Sequence, residues 1–327
     1  MAVGVKRRGL LVAGFVAAPV GAALPQPGTG FPLRPLRLVA GFPPGSAADV
    51  AARLIAPAMG ILLGQPIVVE NRPGAGSSIA AEQAARAAPD GYALLLGSVA
   101  NAINAGLQRD LPFDFARDFA AVAPLVAVPN ILVVHPSVEA RSVSELIAVA
   151  RHGTANLFFG SSGVGTAPHL TGEMFNLATG SRMTHVPYPG SAQAVTDLLA
   201  GRVEVMFSPA STVLAHAREG RLRALASTGA VRTAAAPDLP TMEEAGLPGF
   251  QSAVWFGIYA PAATPRSALA RLADGARAAL RTPETKAQLS AQGFDILEGG
   301  ADELFRLTAE ETTKWARVVE ASGARTN

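Results

Sequence analysis

The stretch GFPPGSAADVAARLIAPAM, Gly41 to Met59, places two prolines, a glycine and a serine between the apolar run Leu36–Ala40 and a segment patterned by Val50, Leu54 and Ile55. The short apolar run reads as a buried strand and the patterned segment as a helix. What joins them is an abrupt strand-to-helix turn, with Ser46 placed to cap the helix.

The same device recurs four times. Leu94–Leu96 runs into Gly97-Ser98-Val99-Ala100-Asn101, and Leu157–Phe159 runs into GSSGVGTAPHL, Gly160 to Leu170. HVPYPGSAQAV (His185 to Val195) and VMFSPASTVL (Val205 to Leu214) each lead into another helical pattern. Glycine allows a sharp turn and close backbone approach, while Ser or Thr at the cap adds a hydroxyl beside free amide hydrogens. Helix N-termini carry partial positive charge, and in open α/β sheets ligands sit beyond the carboxyl ends of the strands. Five such turns on one chain predict a shared cleft that aims backbone donors at an anion. A local reading stands beside this one: Ser46 and Asp49 have capping-box spacing, so Asp49 can satisfy its own turn.

Further apolar runs at Ile67–Val69, Ala93–Leu96, Ile131–Val134, Val203–Phe207, Leu222–Ala226 and Phe256–Tyr259 alternate with helical patterns, which predicts α/β architecture with largely parallel sheets. The segment from Glu303 to Ala321, with Leu304, Leu307, Trp315, Val318 and Val319, predicts an amphipathic helix packed on a lobe. At 327 residues the chain is longer than the roughly 250–300 residues at which single cores stop growing, so two lobes are expected.

Lys6-Arg7-Arg8 followed by the apolar stretch Gly9 to Ala18 and the small residues Gly21-Ala22-Ala23 has the form of a secretory signal peptide cleaved after Ala23. Arg7-Arg8 leaves the twin-arginine route open beside the general one. The whole chain carries 27 Lys+Arg against 25 Asp+Glu; without the three basic residues of the leader the balance is 24 to 25. A nearly neutral mature protein without a basic, aromatic-laced stripe is not built for nucleic acid. The absence of cysteine excludes disulfides, thiolate metal sites, a cysteine nucleophile and a lipid-modified N-terminal cysteine. These features predict a protein of a bacterial periplasm or the cell exterior, held by core packing alone; the periplasm and a monomer are the expectation.

Catalytic and cofactor motifs do not fit. Gly160, Gly163 and Gly165 lack dinucleotide spacing, no Gly-Lys-Ser/Thr follows, and Val164 breaks the nucleophile-elbow pattern. No two histidines sit at the helical spacing of a metal pair, and Asp110, Asp114 and Asp118 around Pro112 read as turns and a capped helix rather than a calcium loop. No cofactor or metal is expected. A serine hydrolase built from Ser98, Ser161 or Ser162 with His169 or His185 would need a Ser–His hydrogen bond of roughly 2.6–3.2 Å and an acid orienting the histidine. Binding, not catalysis, is the expected activity.

In order along the chain, GFPPGSAADVAARL, VVENRPGAGSSIAAEQAARAAPDGYALLLGS, SSGVGTAPHL, HVPYPGSAQAVTDLLAGRVEVMF, RLRALASTG, DLPTMEEAGLPGF, WFGIYAPAATP and KWARVVEASG resemble the substrate-binding proteins of tripartite tricarboxylate transporters, the Bug family of periplasmic receptors. The resemblance spans about Pro32 to Gly323. It implies a class II periplasmic binding fold, two α/β lobes joined by two crossing strands, closing by hinge motion on a small carboxylate that is passed to membrane transporter subunits. Carried onto this chain, it implies a signal peptide at 1–23, a linker at 24–32, one lobe at 33–127 plus 255–327 and a second at 128–254. VPNILVV (Val128 to Val134) and WFGIYAP (Trp255 to Pro261) would be the crossing regions. A sensory role, presenting the ligand to a receptor kinase, would use the same cleft.

The turns and the resemblance together nominate as ligand-binding Phe42, Pro43, Pro44, Gly45, Ser46 and Asp49; Gly97, Ser98 and Asn101; Ser161, Ser162, Gly163, Gly165, Thr166 and His169; Tyr188, Gly190 and Ser191; and Phe207 and Ser208. The chain departs from the family pattern at Ser46, where a second glycine is common, at Pro189, where a basic residue is common, and at Ser208, where an Asp that would suit an amino group is frequent. None of the five turns contains Arg or Lys, although Arg53 or Arg72 could reach in. Anion recognition is therefore expected to rest on amides and hydroxyls, with Phe42, Tyr188 and Phe207 lining the mouth.

Overall fold

The computed structural model describes residues 30–324 apart from 109 and 153–156, together with residues 1, 2 and 4. The leader apart from residues 1, 2 and 4, its cleavage site, and residues 24–29 of the expected linker lie outside the described residues.

The chain begins with β1 (Leu36–Ala40), α1 (Ala47–Leu63), β2 (Ile67–Asn71), α2 (Ser78–Ala85), β3 (Ala93–Ser98), α3 (Val99–Leu107) and α4 (Phe115–Asp118). A long strand, β4 (Phe119–Val134), leads to α5 (Val143–His152), β5 (Phe158–Ser161), α6 (Ala167–Thr179), β6 (Thr184–Pro187), α7 (Ser191–Leu199), β7 (Val205–Pro209), α8 (Ala210–Arg218) and β8 (Arg223–Ser227). The return is β9 (Ala253–Pro261), α9 (Arg266–Arg281), α10 (Pro283–Ala291), β10 (Asp295–Ile296) and α11 (Ala301–Ser322).

Strand order is β2-β1-β3-β9-β4-β7-β5-β6, with β8 and β10 also pairing β4. β2-β1-β3 and β7-β5-β6 are parallel blocks, and the antiparallel strands β9 and β4 lie between them. The parallel strands are short apolar runs because helices cover both faces; β3 is buried along its whole length. β4 is shared: residues 119–129 pair with β9, while Asn130 to Val134 pair with β7 and β8. One sixteen-residue strand thus links the two parallel blocks.

At the switch, Asn130 is fully buried and bonded, its amide nitrogen to Thr228 Oγ1 (3.1 Å) and its Nδ2 to Ser252 Oγ (3.3 Å). Ser252 Oγ lies 2.7 Å from Thr171 Oγ1 on α6. These bonds tie β4 to the residue after β8 and to the residue before β9 at the place where the sheet changes partner. Two apolar clusters flank it; the smaller gathers Phe159, Phe175, Phe207 and Phe250 beneath the β7-β5-β6 block. α11 packs on α3 and β4 and reaches α6, with Trp315 and Leu304 fully buried. Asp114 caps α4 through Ala116 N and Arg117 N, so the acidic triplet forms a turn and capped helix as its sequence indicates.

Candidate functional site

All five turns become strand-to-helix junctions: β1 to α1, β3 to α3, β5 to α6, β6 to α7 and β7 to α8. They converge. An inner chamber of about 30 Å³ is lined by Ser46, Ala47 and Ala48 at the start of α1, Ser98, Val99 and Ala100 at α3, and Thr166, Ala167 and Pro168 at α6. Ser191 at α7, Pro209 at α8, and Phe42, Ser162, Val254 and Phe256 complete it. Among the described residues, no side chain lining this chamber is charged. An outer vestibule of about 950 Å³ shares Phe42 and Ser162 and adds Pro43, the Pro73-Gly74-Ala75-Gly76 loop, Gln108, Asp110, Gly163, Val164, Tyr188, Pro189 and Gln193.

Local chemistry explains each turn. Ser46 Oγ accepts from Asp49 N at 3.3 Å, and Ser98 Oγ accepts from Ala100 N at 3.3 Å while Asn101 Oδ1 takes Ser98 N at 3.0 Å, a reciprocal cap. Asn101 Nδ2 is buried with no hydrogen-bond partner among the described residues. Asp49 satisfies its own neighbourhood: it accepts from Gly45 N, Arg53 Nε and Asn71 Nδ2 at 2.8–3.0 Å, and Asn71 also holds Phe42 O. The acid shapes the Phe42–Ser46 turn without lining either space. Arg53 is spent on Asp49 and Asn71, and Arg72 lies 3.7 Å from Glu70, so neither cation lines the chamber.

Of the twenty residues nominated from sequence, Phe42, Ser46, Ser98, Ser162, Thr166 and Ser191 line the chamber, and Pro43, Gly163 and Tyr188 line the vestibule. Gly97, Asn101, Ser161, Gly165, His169 and Gly190 are buried behind the turns, whereas Pro44 and Gly45 are exposed and line neither space. Gly97 has to be glycine because a Cβ there would lie 2.4 Å from the Tyr259 ring, and Gly190 because one would lie 2.9 Å from Pro43 Cγ. Phe207 is a correction: it is fully buried, packs on Phe175 and Phe250, and does not line the mouth. Strand alternation puts it on the core face of β7. Ser208 is also fully buried, its Oγ 2.8 Å from Thr212 Oγ1, and Pro209 occupies the lining position expected of it.

Sequence reasoning misses Ala47, Ala48, Val99, Ala100, Ala167 and Pro168, which follow their caps by one or two residues, and the apolar floor of Val254 and Phe256. If first-turn amides face a cavity, the residues bearing them line it too. That signal is present in the five turns themselves.

A Ser–His pair does exist: Ser161 Oγ lies 2.7 Å from His185 Nε2. Ser161 is fully buried, and no acidic residue hydrogen-bonds His185 among the described residues. His185 instead stacks on His169, ring centroids 4.0 Å apart, and on Phe159 at 4.9 Å. Burial lowers the His169 pKa to about 4, and burial with the neighbouring His169 lowers that of His185 to about 3, so both are neutral at neutral pH. This is a structural pair without the acid of a catalytic triad.

The model of the tripartite tricarboxylate transporter family receptor matches residues 51–324. The chain belongs to that family. It is 36% identical to Protein BugT of Bordetella pertussis over 318 residues, 97% of this chain and 98% of the relative. Among solved structures, a protein of R. palustris with adipate superposes with a TM-score of 0.86 at 34% identity, covering 90% of this receptor and 99% of that one. MatC from Rhodopseudomonas palustris with bound malate superposes at 0.83 and 32% identity, covering 88% and 100%. The protein is a solute-binding receptor of the periplasmic Bug type with the α/β fold of that family; the family and its structural neighbours are receptors, not enzymes. No described helix is long and apolar enough to cross a membrane.

Proposed function

We propose that this receptor captures a small carboxylate in the inner chamber, between lobes at 33–127 plus 255–327 and at 128–254, by hinge closure, and hands it to the membrane subunits of a tripartite transporter. The observation that carries the reading is the convergence of five helix starts on one chamber with no charged lining residue. Amide dipoles and the hydroxyls of Ser46, Ser98, Ser162, Thr166 and Ser191 can hold a carboxylate there without a cation. The chamber has room of about 30 Å³, so admitting a carboxylate there belongs to the hinge opening of the same reading. Adipate and malate in the related structures support this ligand class.

Export by a leader at 1–23, cleaved near Ala23, belongs to the same reading, as does β4 serving as one crossing strand. Native mass spectrometry of the protein recovered from periplasmic extract tests it. The expected result is a mature chain beginning near Leu24 and carrying a small acid that dissociates on unfolding. A chain retaining residues 1–23 would overturn the export reading, and a co-purified cation or neutral sugar would overturn the carboxylate one.

A further inference from the structure

The 161–166 loop cannot hold its own shape. Gly163 and Gly165 sit at φ of +122° and +76°, and two glycines so close together leave the unbraced chain many conformations. Side-chain ties within the loop are Ser161 Oγ with Gly163 N (3.1 Å) and Gly163 O (3.2 Å), and Thr166 Oγ1 donating to Gly163 O (2.7 Å). Two further side-chain anchors come from outside the loop, and both are imidazoles. Gly165 N donates to His169 Nδ1 at 3.3 Å, and His185 Nε2 meets Ser161 Oγ at 2.7 Å. Neither ring lines the chamber or the vestibule.

We propose that His169 and His185 are positioning residues, a stacked pair of neutral imidazoles that holds the 161–166 loop in the shape that receives the ligand carboxylate, and that protonation of the pair releases the loop. The inference rests on the reading of that loop as part of the carboxylate site.

Hydrogen-bond accounting makes neutrality a requirement at His169. Because Gly165 N–H donates to Nδ1, His169 carries its proton on Nε2, which faces Glu173 Oε1 at 3.9 Å. A proton added to Nδ1 would set N–H against N–H and abolish the anchor. It would also place a cation 4.0 Å from a second ring with the same tendency to charge. Glu173 is the acidic group within 4 Å of the pair among the described residues, and burial raises its pKa, which weakens its pull on a charged imidazole. Phe159 on β5 and Ser161 supply the other contacts to His185, and the Tyr188 hydroxyl three residues on is directed to Asp197. The lowered pKa values of both rings agree with this geometry.

Nitrogen NMR of the two imidazoles and the Gly163 and Gly165 amides, followed in the full mature chain from pH 7 to 3.5, is the test. The expected result is an Nε2–H tautomer for His169, and loop amides that move in one transition with a midpoint near pH 4. In His169→Phe, which keeps the stack and loses the acceptor, Gly165 amide exchange at pH 7 should accelerate at least tenfold. His169→Asn, whose side-chain oxygen can stand where Nδ1 does, should restore protection. Titration of His169 near pH 6.5, or unchanged Gly165 exchange in a folded His169→Phe protein, would overturn the proposal. The unsubstituted titration needs no variant to fold. These readouts also need no ligand, so a chain that bound no carboxylate would still show whether the histidines hold the loop.

Discussion

Gly165 and Asn104 of α3 meet so closely that a Cβ on residue 165 would lie 2.6 Å from Asn104 Oδ1 and 2.8 Å from Leu107 Cδ2. Asn104 cannot swing aside cheaply, because its Nδ2 donates to Gly76 O at 2.7 Å and lies 3.2 Å from Ala75 O and Ser78 Oγ. Gly76 in turn faces Val164 O. One asparagine therefore braces the glycine loop after β2 against the loop after β5.

Gly165→Ala should weaken carboxylate binding by tenfold or more, since it combines the clash with a φ of +76° that costs a side chain about 1–2 kcal/mol. Gly220→Ala is the matched control: φ is +72° and nothing lies within 4 Å of the new Cβ. The control should lose similar stability to strain and retain affinity. Thermal denaturation and calorimetric titration of both variants separate the two effects.

Asp49→Ala should destabilise the protein by about 1–3 kcal/mol, because three donors lose a buried acceptor. Arg53→Ala should cost under about 1 kcal/mol: the guanidinium is half exposed and Asp49 keeps its other two donors. Urea unfolding of the two variants measures the difference.

Replacing Arg72 by Gln should leave carboxylate affinity within about twofold, since no cation lines the chamber among the described residues and Arg72 lies toward Glu70. By the same argument tricarboxylates should bind more weakly than mono- or dicarboxylates, because a third charge finds no cationic partner. Competition against a fluorescent or radiolabelled carboxylate ranks the series.

Stability should fall as pH drops from about 6.5 through about 4. Both histidines have folded pKa values below the usual 6.5, so the unfolded chain takes up protons first; the stability they contribute is fully present above pH 6.5 and is lost as the pH passes through the folded values. His169→Phe should flatten that slope. Thermal midpoints at pH 7.5, 5.5 and 4.5 give the comparison.

The turns after β1, β3, β5 and β7 are legible in the sequence because each places Gly, Pro, Ser or Thr between an apolar run and a 3.6-residue pattern, the turn after β6 shows itself by its own Pro and Gly residues, and every one becomes a strand-to-helix junction. β4 shows itself only at its Ile131–Val134 end. Its first part, Phe119 to Pro129, contains two prolines and four alanines, a weak strand signal that pairing with β9 overrides. β6 is hidden for a similar reason: THVP has one apolar β-former and two half-buried positions, and its parallel pairing with β5 supplies what the residues do not. At the site, cap residues announce themselves, whereas Val254 and Phe256 belong to a strand distant in sequence and reach the chamber through the pairing of β9 with β4 and β3, which sets Phe256 opposite Ser98. Phe207 departs from expectation because an aromatic before a Ser-Pro turn carries no label for which sheet face it takes.

The most direct measurement is calorimetric titration of the ligand-stripped mature chain, from about residue 24 onward, with mono-, di- and tricarboxylates, amino acids and neutral sugars. The expected result is saturable one-to-one binding of a mono- or dicarboxylate that survives Arg72→Gln and is lost in Gly165→Ala. Binding confined to tricarboxylates, or a carboxylate affinity that collapses with Arg72 and ignores Gly165, would contradict capture by convergent helix starts.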